Sequence, residues 1–95
     1  MLLKKPMATG DVVSIKLSNG DELIARLDSE DATTVTIDRP LALTMQGGGL
    51  GMVPWVLLGD KDSITIQRSH IFAIVPSKKD AADQYLAGTT GIALV

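Results

Sequence analysis

The chain has no cysteine, a single histidine (His70) and only three aromatic residues, Trp55, Phe72 and Tyr85. Without cysteine there is neither a disulfide scaffold nor a cysteine–zinc site, which fits a reducing compartment. One histidine argues against a catalytic metal site, and no cofactor is expected. Positive charge is also scarce: nine Lys and Arg stand against eleven Asp and Glu, a formal charge of −2. That balance argues against a nucleic-acid binder working by bulk positive charge, because phosphate neutralisation supplies most non-specific affinity; any such binding must rest on a local patch. No run approaches the roughly 20 apolar residues of a membrane span. The opening MLLKKPMATG has no apolar stretch of secretory length. A cytoplasmic protein with no membrane partner is expected. At 95 residues and 45% hydrophobic content it should form one domain with a modest core, for which oligomerisation is a natural source of extra stability.

What is present is strand periodicity. Val13, Ile15 and Leu17 alternate with Ser14, Lys16 and Ser18; Asn19-Gly20 makes a turn; Leu23, Ala25 and Leu27 resume the alternation. This is a β-hairpin with one buried face. The spacing predicts strands at about 12–18, 22–28 and 33–38, another at 63–67, and an almost wholly apolar last strand from Ile71 to Val75. Pro40 should end or bend the third strand, since it lacks the N–H that a ladder needs. Residues 41–58 hold two apolar runs around Gly47, Gly48, Gly49 and Gly51, expected as a hairpin extension with a flexible tip. Residues 1–10 are expected as a flexible arm. After Pro76, Ser77 as N-cap and Asp80 as its capping-box partner predict a helix to about Ala87, stopped by Gly88, with an apolar tail at Ile92–Val95. The expected fold is mostly β: a small, strongly bent, five-stranded open barrel over residues 11–76, followed by a C-terminal α-helix.

Two segments of this pattern resemble the two sequence motifs of the Sm-like family. In the first, alternating apolar residues precede an Asn-Gly turn, and the second strand ends in a leucine with an aspartate four residues on: Val13, Ile15, Leu17, Asn19, Gly20, Leu27 and Asp31. The second, RSHIFAIVPS, is similar to the end of the bacterial Sm-like RNA chaperone, with Arg68 on its basic turn residue and Ile74-Val75-Pro76 on its strand end. The whole chain looks like the small Sm-like variant found in phages of marine cyanobacteria. The resemblance covers about residues 11–76. It implies a homo-oligomeric ring of about five to seven subunits, closed head to tail by the last strand of one subunit along the fourth strand of the next. It also implies RNA or single-stranded DNA at the pore, held by the turn after the second strand and by the basic turn. The corresponding residues are Asp31, Thr33, Thr34, Arg68, Ser69 and His70. Residues 31–35 contain no stacking side chain, and Ser69 stands where the family has glycine, so the implied contact is sequence-tolerant.

Plainer roles stand beside these. Arg68 and His70 also read as solvated turn residues, and Asp31 as a brace for its own turn. Trp55, beside Pro54, is either a base-stacking platform or, with Val53, Val56, Leu57 and Leu58 around it, a packing residue. GGGLG lacks the Gly-Lys-Ser/Thr ending of a phosphate loop. Asp31, Asp38, Asp60, Asp62 and His70 form no recognisable hydrolytic motif, so no enzyme is expected. A structural or protein-interaction ring, an assembly or adaptor factor, is the alternative that the acidic balance favours.

Overall fold

The computed structural model describes residues 7–56 and 58–89. Six strands run in the order β1 (Val12–Leu17), β2 (Glu22–Glu30), β3 (Thr34–Gln46), β4 (Gly49–Pro54), β5 (Ser63–Gln67) and β6 (Ile71–Pro76). A single 3-10 turn, Arg68–His70, joins β5 to β6, and helix α1 spans Lys79–Thr89. The sheet is antiparallel throughout, ordered β4-β3-β2-β1-β6, with β5 also paired to β3.

Six strands form where five are expected because Pro40 bends the third strand instead of ending it. Arg39 and Pro40 together oppose the single residue Ala25: Ile24 pairs with Leu41 and Arg26 with Asp38. This bulge absorbs the missing proline N–H. Arg39 takes a φ of +50° there, in the left-handed region. The other edge of β3 changes partner at the same point, residues 34–38 pairing with β5 and residues 41–46 with β4. Gly47 (φ +56°) and Gly48 (φ +82°) close the β3–β4 hairpin; two consecutive positive φ values are the requirement of a type I′ turn. Further bulges at Asp28 and Phe72, each an extra residue against its partner strand, add to the bend.

The alternation of the first hairpin becomes the core. Val13, Ile15, Leu17, Leu23, Ala25, Leu27, Val35, Ile37 and Ile66 are all buried in one cluster. Each large aliphatic side chain there contributes about 1.5–3 kcal/mol. Trp55 packs against this cluster, and its indole N–H donates to Asp21 Oδ2 at 3.2 Å, so packing is its observed role.

On the reverse face of the sheet Ile24 and Tyr85 are buried. Helix α1 lies there, and the Tyr85 hydroxyl reaches the carbonyls of Asp38 (2.9 Å) and Arg39 (3.0 Å) at the β3 bend. The expected capping box does not form. The Ser77 hydroxyl is committed to Ser14 at 2.7 Å, its N–H donates to Val12, and the helix starts two residues later. Gly88 lies inside the last turn; the helix runs to Thr89, whose hydroxyl donates to the Tyr85 carbonyl while Arg39 donates to the Thr89 carbonyl. Of the expected flexible arm, residues 7–10 are tied down: Met7 packs on the core and Gly10 N–H donates to Leu27 at 2.7 Å. Residues 1–6 and the Ile92–Val95 tail lie outside the described residues. Among the described residues, no helix is long and apolar enough to cross a membrane.

Candidate nucleic-acid interface

The β2–β3 turn is organised by one carboxylate oxygen. Asp31 Oδ1 accepts the backbone N–H groups of Thr33 (2.9 Å) and Thr34 (2.8 Å), and the two threonine hydroxyls at 3.3 and 3.1 Å. An acceptor with four donors is stabilised as the anion, and the backbone bonds from Thr33 and Thr34 hold the Asp31 carboxyl below its usual range. Aspartate suits this place because its short side chain reaches its own backbone two and three residues on.

The Arg68–His70 turn docks on that loop. Arg68 N–H donates to the Thr33 carbonyl (2.8 Å), Arg68 Nε to the Asp31 carbonyl (2.7 Å), and an Arg68 Nη2 hydrogen goes to Glu30 Oε1 at 2.5 Å. The guanidinium therefore clamps two turns that are 37 residues apart in the chain. Among the expected site residues, Asp31, Thr33, Thr34 and Arg68 form one unit, with Ser69 exposed in the docked turn. His70 makes no hydrogen bond to that unit. Its carbonyl accepts from Ser18 N–H at 2.8 Å, and the residue lines a cavity of about 320 Å³ with Asn19, Trp55 and Gln67.

Glu30 is the residue that sequence reasoning missed. The Glu30 carboxylate pairs with the Arg68 guanidinium, while the Asp31 carboxylate is held by Thr33 and Thr34, so the turn pair carries one net negative charge before His70 is counted. An acidic residue next to Asp31 at the end of β2 was the available signal, but nothing local links it to Arg68. Trp55, Phe72 and Tyr85 all lie outside this unit, which therefore offers no ring for a base to stack on. Among the described residues no group of three His, Asp or Glu side chains could hold a metal ion.

Neither a protein-family model nor a curated protein matches the chain. A solved structure does: a heptameric archaeal Sm protein, described for its implications for the eukaryotic snRNP core. It aligns with a TM-score of 0.51 at 16% identity, over 73% of this chain and 88% of that one. The likeness shows the fold, a bent, open antiparallel Sm-type sheet, here carrying a β3–β4 hairpin and a C-terminal helix.

Proposed function

From an Sm-type fold with open edges, we propose that this chain is the repeating subunit of a closed ring of about five to seven copies that holds RNA or single-stranded DNA at its pore. Two edges support the ring. Among the described residues β5 pairs only with β3, and β6 only with β1. On β6, Phe72 is 81% and Val75 53% exposed, an apolar edge that a single copy leaves in water. Laying β6 of one subunit along β5 of the next covers both edges. The solved Sm neighbour is itself a heptamer.

The observation that carries the pore assignment is the docking of Arg68 onto the Asp31–Thr34 turn, which joins the two loops that the Sm resemblance assigns to RNA. Arg68 spends its Nε and one Nη2 hydrogen on protein and keeps further N–H groups for a phosphate. With no stacking ring, the contact is to phosphate and sugar and tolerates any base. The role is binding rather than catalysis, in the cytoplasm, that of the host cell if the chain is of phage origin.

The Arg68–Glu30 ion pair favours a second reading, a protein-interaction ring, because the negative balance of the turn pair would be repeated around the axis. Fluorescence anisotropy with short oligo-U, oligo-A and oligo-dT at about 50 and about 200 mM salt separates the two. Pore binding gives similar affinities for all three oligomers, weaker at the higher salt. An intact ring that binds none of them at low salt leaves the interaction ring standing.

A further inference from the structure

Strand β3 forks the sheet at Pro40: on one edge its residues 34–38 pair with β5 and its residues 41–46 with β4. A cleft of about 360 Å³ lies at the fork, lined by Leu41 of β3, Pro54 of β4, Val56 just beyond it and Ile64 of β5. Val56 is 47% exposed. Gly88 and Thr89, the last residues of α1, line the same cleft, so the chain leaves the helix at its rim. Arg39 fixes that exit. Its guanidinium donates to the Thr89 carbonyl, while its backbone sits at the left-handed φ of +50°. A long side chain in that region carries backbone strain, which the packed bend sustains.

We infer that the segment following Thr89 fills this cleft in its own subunit, with Ile92 and Leu94 packed on Leu41, Pro54, Val56 and Ile64. Four consecutive apolar residues, Ile92-Ala93-Leu94-Val95, follow the helix after only Thr90 and Gly91. Ile92 is three residues beyond Thr89, about 10 Å of extended chain, which brings it into the cleft that Thr89 itself lines. In an extended segment Ile92 and Leu94 turn to the same side. Apart, the apolar tail and the apolar cleft both face water; together they remove that surface from it. A segment tethered to the rim by two residues also has a far higher effective concentration there than the same segment of another copy, or a partner protein. No lining residue of the cleft belongs to the Asp31–Thr34 or Arg68–His70 turns, so the contact is independent of the pore.

Because the chain has no cysteine, two introduced thiols report the contact without background. Val56→Cys is combined in the full-length protein with Ile92→Cys or with Leu94→Cys, and each pair is oxidised under native conditions. Leu58→Cys, at a residue 98% exposed and outside the cleft lining, replaces Val56→Cys for comparison, since a loose tail meets it at least as readily. At least one Val56 pair should close a disulfide within a single chain, by denatured mass, ten times faster than its Leu58 counterpart. Thermal scans give the second measurement. Ile92→Asp/Leu94→Asp should lower the melting temperature by about 4 °C or more, and Val56→Asp added to it should cost less than half of what it costs alone. No disulfide in either Val56 pair, equal rates at Leu58, or additive thermal losses would overturn the proposal. So would disulfides formed between chains, which would assign the cleft to a neighbour's tail.

Discussion

Asp31 does its work as an anion, and its pH dependence has a definite sign. Its carboxyl is held below the ordinary value by the Thr33 and Thr34 N–H groups. The stabilisation is therefore present above about pH 4, the unfolded carboxylate range, and is lost as pH falls through the lower native value. Asp31→Ala should lower the melting temperature at pH 7, and the gap between variant and parent should close below about pH 4 in thermal scans followed by circular dichroism. Glu30 makes the complementary case. Glu30→Gln removes the acid that occupies Arg68, so affinity for oligo-U should rise and its salt dependence steepen, read by anisotropy. Tyr85→Phe removes one hydroxyl from two carbonyls at the β3 bend, and urea unfolding should show a loss of about 0.5–1.5 kcal/mol. The apolar alternation marked Val13, Ile15, Leu17, Leu23, Ala25 and Leu27 as core in advance, and all six are buried. The Glu30–Arg68 pair was invisible because pairing across 38 positions is decided by the fold and leaves no local pattern.

At the level of elements, the hairpin turns were readable where glycine chemistry dictates them and unreadable where tertiary contacts compete. Asn19-Gly20 closes β1–β2, with Gly20 at φ +101° and Asp21 N–H donating to Asn19 Oδ1. Gly47-Gly48 closes the extension. A Cβ at Gly48 meets no neighbour, so Gly48→Ala tests backbone strain alone. It should cost about 1–2 kcal/mol, and hydrogen exchange should show β4 amides losing protection before those of β1 and β2. Pro40 is expected to end or bend the third strand and it bends it; the hairpin expected over 41–58 forms, and its second arm, β4, is the sixth strand. The helix start moved under tertiary competition: Ser77 has the chemistry of a cap, yet the Ser14 hydroxyl, 63 residues away, claims it.

For the whole molecule, the apolar last strand was the sequence's clearest pointer to assembly. In the isolated chain β6 leaves Phe72 at 81% exposure, raised on a bulge, beside an unpaired edge. Phe72→Asp should therefore give a folded subunit of reduced assembly, seen as a smaller particle with an unchanged far-UV spectrum. The fold came through in the sequence because strand periodicity is local. Copy number did not, because it depends on the rotation between neighbours, which no single residue encodes. Light scattering of the parent protein at micromolar concentration addresses the ring most directly. A ring requires a mass of about five to seven times the 10.0 kDa subunit. A particle of one 10.0 kDa chain at that concentration would mean that β5 and β6 stay open in solution and that there is no pore.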